Sequence, residues 1–414
     1  FTISIADWWS KRWLCVFFCS RKGSAQRLGF VTRSILKETR GNYGSDPRLL
    51  ISKLCFPRQL KSPKTLTKPK QMATEMTTNT IWYLRKRPVG EVAPDDLELV
   101  TEEMAPLAEG HVRVRTIYLS LDPTNRIWMS DMDAYLPPVE IGTPMRGGSI
   151  GVIEESRSES VPVGSIVNTG LAIWAAYNDL PGEGVNVLPA IPGLPLTAFM
   201  GPLGATGMTA YFGLTEIGQP KAGETLVVSA AAGAVGSMVG QIGKNMGCRV
   251  VGIAGSDEKC RWLTETAGFD AAINYKVEDV GEALDRHCPD GIDINFENVG
   301  GSIMEEVIAR LNDFSRMPLC GLISTYNADP DESTGPKNFA NLLMRRTLVR
   351  GFIIIDFLDR FADGFAAMAS LLMDGKLQYE TDIVEGLENA PTALARLFEG
   401  RNLGKLVLKV SDEP

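Results

Sequence analysis

Residues 225–240, TLVVSAAAGAVGSMVG, decide the fold. The first five residues are apolar or β-branched and predict a short strand that is buried on both faces. The second half has the apolar spacing of an amphipathic helix. The turn between them reads A-x-G-x-x-G, with Ala231 where a dinucleotide-binding turn usually has its first glycine. The open N–H groups of such a turn, together with the positive end of the helix dipole, favour a pyrophosphate.

The next predicted strand, 248–254, ends where a nucleotide-binding fold selects its cofactor. An NAD site places an Asp or Glu there, bonded to the ribose 2′-hydroxyl. Here the strand is followed by Gly255 and Ser256, with Lys259 three residues further on. A hydroxyl and a cation suit a 2′-phosphate, so the pattern favours NADP(H) with Ser256 and Lys259 as ligands. Asp257 and Glu258 are close enough to keep NAD, with Lys259 merely solvated, as the alternative.

The chain of 414 residues is long enough for two globular units. Short strands, turns and prolines from about 81 to 195 predict a β-rich domain. Further strands of a doubly wound parallel sheet are predicted at 271–273, 291–296, 317–323 and 347–355. A last strand, 404–410, returns to the first domain, because six strands already complete the nucleotide sheet. We therefore predict an α/β protein with a β-rich domain at 72–196 and 360–414 and a Rossmann domain at 197–359.

Residues 1–71 differ from the rest in charge. They carry 15 Lys or Arg and three Asp or Glu, a net of +12, whereas the remainder carries 27 and 47, a net of −20. A basic, acid-poor segment with serines is typical of an organelle transit segment, and a nucleic-acid-binding arm is a second alternative. We favour a third, an upstream extension of the reading frame with Met72 or Met76 as the start, and expect the segment to be poorly ordered.

Composition excludes several classes of protein. No run of about 18 apolar residues is present, so no membrane span is expected. Between Pro57 and Gly247 there is no cysteine and a single histidine, His111, so a zinc site of the first domain lacks its ligands and no metal is expected. No secretory signal or C-x-x-C is evident, so reduced thiols and a cytoplasmic location are predicted, or an organelle if residues 1–71 are a transit segment. No nucleic-acid partner is expected of the remainder.

The two histidines and the missing G-x-S-x-G argue against triad hydrolysis. Without zinc ligands, alcohol oxidation also fits poorly, since nothing would bind the alkoxide. Hydride transfer to the β-carbon of an enone, the reaction implied by the family resemblance described next, asks less of the protein. The cofactor supplies the hydride, and the protein orients the substrate and stabilises an enolate oxygen.

Six segments, in register from about 81 to 410, resemble the zinc-independent medium-chain dehydrogenase/reductases, especially their enone and alkenal double-bond reductases. These segments are AAAGAVGSMVGQIGK, GSDEK, AGFDAAINYK, ENVGG, CGLISTYN and NLGK. The resemblance implies a GroES-like first domain, NADP(H) as cofactor, and a small α,β-unsaturated carbonyl compound as substrate.

The resemblance also implies which residues bind the cofactor. Tyr275 would join Lys259 at the 2′-phosphate, and 352–354 would meet the nicotinamide carboxamide through backbone groups. The implied set is Thr209, Gly233, Ala234, Val235, Gly236, Lys259, Tyr275, Asn298, Cys320, Gly321, Ser324, Tyr326, Phe352, Ile353, Ile354 and Asn402. For any one of them, simple packing in the sheet is the alternative.

Tyr326 is the candidate catalytic residue. Its phenol can donate a hydrogen bond to a developing oxyanion without titrating at neutral pH; the alternative is a tyrosine packed under the cofactor. The family commonly has D-P-Y-M-R after the first-domain strand, but residues 122–126 read DPTNR. Thr124 thus replaces an aromatic side chain, which predicts a wider or more polar pocket, and Tyr135 is a hypothetical compensation. Arg126 is retained, either for the substrate or to hold the domain together.

Other functions remain open from sequence. A quinone oxidoreductase would use the same cofactor site, an accessory enoyl reductase would prefer a carrier-bound acyl substrate, and a non-catalytic sensor would bind NADPH without oxidising it. An exposed sheet edge near 352–355 predicts that two nucleotide sheets pair in a homodimer.

Overall fold

The computed structural model describes residues 78–132, 134–328 and 335–414. The predictions for residues 1–71 therefore lie outside the described residues. The first described elements are Thr78–Leu84 (β1), Leu97–Glu103 (β2), His111–Ser120 (β3), Thr124–Met129 (α1), Arg146–Gly147 (β4), Ser149–Ser156 (β5), Ile166–Asn168 (β6), Ala172–Ile173 (β7), Tyr177–Pro181 (β8) and Asn186–Val187 (β9).

The remaining helices and strands alternate over most of the chain. They are Ala205–Phe212 (α2), Thr225–Val228 (β10), Gly236–Asn245 (α3), Arg249–Ala254 (β11), Asp257–Glu265 (α4), Ala271–Asn274 (β12), Val280–His287 (α5), Ile292–Phe296 (β13), Gly301–Ala309 (α6), Leu311–Leu319 (β14), Phe339–Met344 (α7), Leu348–Gly351 (β15), Phe361–Met373 (α8), Thr381–Glu385 (β16), Ala390–Phe398 (α9) and Lys405–Lys409 (β17). In the described ranges, no helix is long and apolar enough to cross a bilayer.

Six parallel strands form the nucleotide-binding sheet in the order β12-β11-β10-β13-β14-β15. This is the doubly wound order, with β10 and β13 at the point where the connections reverse direction. All four residues of β10 are buried, as expected for a strand covered on both faces. The predicted Rossmann fold is confirmed.

Two strands end earlier than predicted. β14 ends at Leu319 because the N–H groups of Cys320 and Gly321 both bond to the backbone oxygen of Glu297, at 2.9 and 3.1 Å, which turns the chain off the sheet. After β15, the carboxylate of Asp356 accepts the N–H of Ile353 at 3.1 Å and starts a 3-10 helix, Ile354–Arg360.

The β-rich domain has a seven-stranded sheet in the order β16-β17-β3-β5-β6-β9, with β8 also paired to β3. The tail strand β17 runs antiparallel to β3, so the tail returns to this domain as predicted. Helix α8, which the predicted boundary at 360 assigns to this domain, instead packs Phe365 and Met368 in the core of the nucleotide-binding domain. The other boundaries of the two predicted domains remain predictions.

The turn after β10 depends on close backbone approach. A Cβ on Gly236 would lie 2.4 Å from the backbone oxygen of Ala230, and one on Gly240 would lie 1.9 Å from Cζ of Phe269. Ala230 itself has a φ of +48°, in the left-handed region that a side chain disfavours. Small residues are therefore required in the turn that joins β10 to α3 and in the first part of α3.

The carboxyl edge of the sheet is held by a buried carboxylate. Glu297 is 0% exposed, and its Oε1 accepts the Ser229 hydroxyl at 2.9 Å and the N–H groups of Val299 and Gly300 at 2.7 and 2.8 Å. Ser229 Oγ in turn accepts the N–H of Asn298 at 2.8 Å, and the Ser229 backbone oxygen accepts Asn298 Nδ2 at 2.7 Å. Ser229 and Glu297 thus fix the loop that follows β13.

Ser229→Ala is expected to lower the free energy of unfolding by about 1–3 kcal/mol, because it removes one donor from Glu297 and leaves the Asn298 N–H unpaired in a buried site. Chemical denaturation would measure the change. The matched control is Ser370→Ala, at an exposed position of α8. A Ser229 variant as stable as the control would contradict the structural role of this hydroxyl.

Candidate active site

A cleft of about 530 Å³ lies at the carboxyl edge of the nucleotide sheet. Its wall comprises the turn after β10, the ends of β11, β13 and β14, the loop before α1, and the tail between α9 and β17. It therefore combines both domains at the place where doubly wound folds bind their ligands.

Most of the predicted site residues line this cleft. They are Gly233, Ala234, Val235, Gly236, Lys259, Tyr275, Asn298, Cys320, Gly321, Ser324, Tyr326 and Asn402. The fold thus brings together residues that follow three predicted strands, residues of the turn after β10 and a residue of the tail.

The other predicted residues lie outside the cleft wall: Thr209, Ser256, Phe352, Ile353 and Ile354. Thr209 donates to the backbone oxygen of Ala205 on α2, and Ser256 Oγ caps α4 by accepting the N–H of Lys259 at 3.3 Å. The ring of Phe352 packs in the core. Their assignment to the cofactor stays a prediction.

Several wall residues were missed from sequence. Thr206 lines the cleft one helical turn before Thr209. Lys405, on β17, is 2% exposed and donates to the backbone oxygen of Leu121 at 2.7 Å and to Asp122 Oδ1 at 3.0 Å. Nothing in the sequence marks a lysine within an apolar strand as a residue that lines a ligand-binding cleft.

Arg126 holds the β-rich domain together. Its guanidinium is buried and donates to the backbone oxygens of Pro88 and Gly90, at 3.1 and 2.9 Å. Of the two roles left open from sequence, the structure therefore supports the one within the domain.

The turn after β10 presents open donors. No acceptor in the described part of the chain takes the backbone N–H groups of Val235 and Gly236. The tail docks beside them, since the N–H of Gly404 donates to the backbone oxygen of Ala232 at 2.9 Å, and Gly404 and Gly233 form a parallel β-bridge that also engages the N–H of Ala234. Two open N–H groups near the start of α3 suit an anion such as a pyrophosphate.

A cationic corner lies at the end of β11. Lys259 Nζ donates to the backbone oxygen of Gly400 at 2.6 Å. The ring of Tyr275 is adjacent, because a Cβ on Gly255 would lie 3.0 Å from its hydroxyl. Burial and then the charge of Lys276 lower the pKa of Lys259. A dianionic phosphate would relieve both effects, so the corner fits a 2′-phosphate. Lys276 was not identified from sequence.

Tyr326 presents a hydroxyl at the other end of the cleft. Its oxygen accepts the N–H of Leu322 at 3.0 Å, and no acceptor in the described ranges takes its proton. Burial raises the pKa of Tyr326, so the phenol stays protonated at neutral pH. The geometry suits a neutral donor aimed at a substrate oxygen.

Zinc does not fit the described residues. They contain no group of three or more His, Cys, Asp or Glu side chains placed to hold a metal. Among the described cysteines, Cys320 lines the cleft, and burial raises the pKa of its thiol to about 12. A thiol held protonated in this way is a poor metal ligand.

Comparisons with known proteins agree with this architecture. A family model described as "N-terminal domain of oxidoreductase" matches residues 80–188, and one described as "Zinc-binding dehydrogenase" matches residues 234–371. The NADPH-dependent curcumin reductase of Escherichia coli is 42% identical over 346 residues, which cover 83% of this chain and 100% of that protein.

Two further relatives are similar over comparable lengths. The NADP-dependent 2-alkenal reductase of Nicotiana tabacum is 38% identical over 347 residues, 83% of this chain and all of that protein. The crystal structure of CurA from Vibrio vulnificus in complex with NADPH is 44% identical, covers 81% of this chain and 100% of that chain, and superimposes with a TM-score of 0.76. The chain therefore belongs to the medium-chain dehydrogenase/reductase family of oxidoreductases.

Proposed function

We propose that the protein reduces the α,β carbon–carbon double bond of enals and enones with NADPH. The observation that carries the proposal is the free hydroxyl proton of Tyr326, at the opposite end of one continuous cleft from the anion turn and the cationic corner. Relatives named curcumin reductase and 2-alkenal reductase support a substrate with an activated double bond.

The protein is an NADP(H)-dependent oxidoreductase, and its residues fit that cofactor. Val235 and Gly236 offer N–H groups to the pyrophosphate, and Lys259 and Tyr275 form the corner for the 2′-phosphate. When bound, NADPH supplies the hydride that reduces the β-carbon. Ser229 bonds to the backbone and the side chain of Asn298 at the edge of the sheet. This part of the cleft wall, between the turn after β10 and Tyr326, is thereby held in one conformation.

Tyr326 stabilises the carbonyl oxygen of the substrate. As negative charge develops on that oxygen, the hydrogen bond from the phenol strengthens, which lowers the barrier more than it stabilises the ground state. Because burial raises the pKa of Tyr326, the phenol donates this bond without losing its proton. The α-carbon takes its proton from solvent.

The direct test is NADPH oxidation by the purified full-length protein with a 2-alkenal, an aryl enone, a quinone and a simple ketone, each also with NADH. Consumption with the alkenal or enone, and preference for NADPH, is the expected result. Lys259→Ala should raise KM for NADPH by about tenfold or more, because a charged phosphate contact is lost, and should change KM for NADH far less.

Two outcomes would contradict this proposal. Oxidation by the quinone alone would indicate a quinone oxidoreductase, and tight NADPH binding without any turnover would indicate a sensor. An equal effect of the Lys259 substitution on both cofactors would remove this lysine from the 2′-phosphate site.

Tyr326→Phe is expected to lower kcat on an enone at least about tenfold, since the ring remains but the donor is lost. The dissociation constant of NADPH, measured by its fluorescence, should change little. Tyr83→Phe is the matched control, because that hydroxyl bonds to the exposed side chain of Glu102 at 3.1 Å and Tyr83 is not among the residues that line the cleft. Unchanged turnover in the Tyr326 variant would exclude the catalytic role.

We also propose that the protein is a homodimer joined through β15, the edge strand of the nucleotide sheet. All four residues of β15 are exposed, including Leu348 and Val349 at 52% and 40%. Leu343 and Met344 next to it are 75% and 64% exposed. An exposed sheet edge with apolar side chains is normally covered, and a second copy offers the same edge with its own unpaired backbone groups.

Light scattering should give twice the chain mass of 45.1 kDa. Val349→Lys should shift the mass towards the monomer, because a lysine on an edge strand opposes pairing. Ile383→Lys is the control, since Ile383 is 44% exposed on β16, the edge of the other sheet. A monomeric wild type, or a Val349 variant that remains dimeric, would contradict pairing through β15.

A further inference from the structure

A second hydroxyl lies at the substrate end of the cleft. Thr124, the first residue of α1, lines the cleft wall. Its Oγ1 is hydrogen-bonded to the hydroxyl of Tyr135, which comes from the loop after α1. Thr124 and Tyr135 are called the hydroxyl pair below. Tyr135 is not itself among the residues that line the cleft, but it lies within electrostatic range of Tyr326, which does line it.

The hydroxyl pair has hydrogen-bonding capacity to spare. Its two hydroxyls hold two protons, and their mutual bond uses one of them. Whichever residue donates, the other retains a proton, and no acceptor in the described part of the chain takes it. The lone pairs of Thr124 that are not used by Tyr135 are open as well. The pair can therefore both donate to and accept from a bound molecule.

Neighbouring polar groups of the wall are already committed. The carboxylate of Asp122 accepts Lys405 Nζ on one oxygen and the Ser120 hydroxyl on the other. Thr206 Oγ1 bonds to the backbone oxygens of Met200 and Gly201, at 3.1 Å each. A polar group of a substrate at this end therefore finds its free partner in the hydroxyl pair.

The loop that carries Tyr135 is anchored by the residues that directly follow it. Leu136 packs against the core of the β-rich domain, and the N–H of Val139 donates to the backbone oxygen of Trp128 at 2.8 Å. Arg146 adds a bond to the backbone oxygen of Pro137. Burial raises the pKa of Tyr135, so its hydroxyl remains protonated. The pair is thus preorganised, which reduces the entropy lost on binding.

We propose that the hydroxyl pair binds a second oxygen of the substrate, so that the enzyme favours enones carrying a hydroxyl group remote from the reacting carbonyl. Thr124 makes the contact, and Tyr135 is the positioning residue that sets the orientation of the Thr124 hydroxyl. This inference rests on the proposed reductase function and adds a substrate class to it.

The test compares benzylideneacetone with its para-hydroxy derivative on the full-length protein with NADPH. The measured quantity is the ratio of kcat/KM for the hydroxylated over the plain ketone, since it cancels effects common to both substrates. The wild type should favour the hydroxylated ketone at least about fivefold, as expected for one well-placed hydrogen bond.

Tyr135→Phe and Thr124→Val should each bring this ratio to within about twofold of one. The double variant should lose nothing further, because the two hydroxyls act as a unit. Thr124→Ser keeps the hydroxyl and should keep the preference. Tyr83→Phe, at a position that does not line the cleft, should leave the ratio at its wild-type value.

A wild-type ratio near one, or variants that retain the wild-type ratio, would overturn the inference and leave the pair as an anchor for its loop. Failure of the proposed function is distinguishable, because the wild type would then reduce neither ketone. In that case the preference is measured as the ratio of the dissociation constants of the two ketones from the NADPH-bound protein, read by NADPH fluorescence. Equal constants in the wild type would overturn the inference there as well.

Discussion

The site depends on one buried carboxylate at the carboxyl edge of the sheet. A fully buried Glu297 would cost several kcal/mol if its oxygens lacked partners. Ser229 and two N–H groups of the loop after β13 satisfy its Oε1, and Asn295 Nδ2 satisfies its Oε2, while its backbone oxygen accepts two N–H groups of the loop after β14. One residue therefore positions two loops that line the cleft. The demand of a buried charge for donors forces those loops into a single arrangement.

The tail connects the ends of the cleft to one another. The backbone oxygen of Gly400 accepts a hydrogen bond from the ammonium of Lys259 at the cationic corner. Gly404 bonds to the turn after β10, and Lys405 bonds to the loop before α1. These contacts fall within six residues of chain, and the strand that follows is paired with β3 of the β-rich domain. One short segment thus contacts both the turn after β10 and the loop before α1. In the proposed function, cofactor binding and substrate orientation would therefore share this piece of backbone.

Sequence reasoning succeeded where the physics is local. The apolar run before AAAGAVG, the following small residues and the helical spacing are each sufficient to predict a buried strand, a tight turn and a helix. It mostly missed features that depend on contacts between distant parts of the chain. β14 ends where Glu297, more than 20 residues earlier, captures two N–H groups. β15 is the exception, because it ends where Asp356 caps a 3-10 helix through a local contact that the sequence analysis overlooked. Thr206 and Lys405 likewise enter the wall because of how elements from distant parts of the chain meet.

In the proposed mechanism the substrate carbonyl meets a neutral donor rather than a cation, and this has a chemical consequence. An ammonium or guanidinium beside the reacting oxygen would stabilise an enolate more strongly, but it would also attract anions and would itself need to be desolvated. A phenol whose pKa is raised by burial carries no such charge, yet its hydrogen bond gains strength as the oxygen becomes anionic. Stabilisation is then concentrated in the transition state of an uncharged substrate. Thr124 and Tyr135 extend the same principle, because neutral hydroxyls can select a second oxygen without drawing in charged molecules.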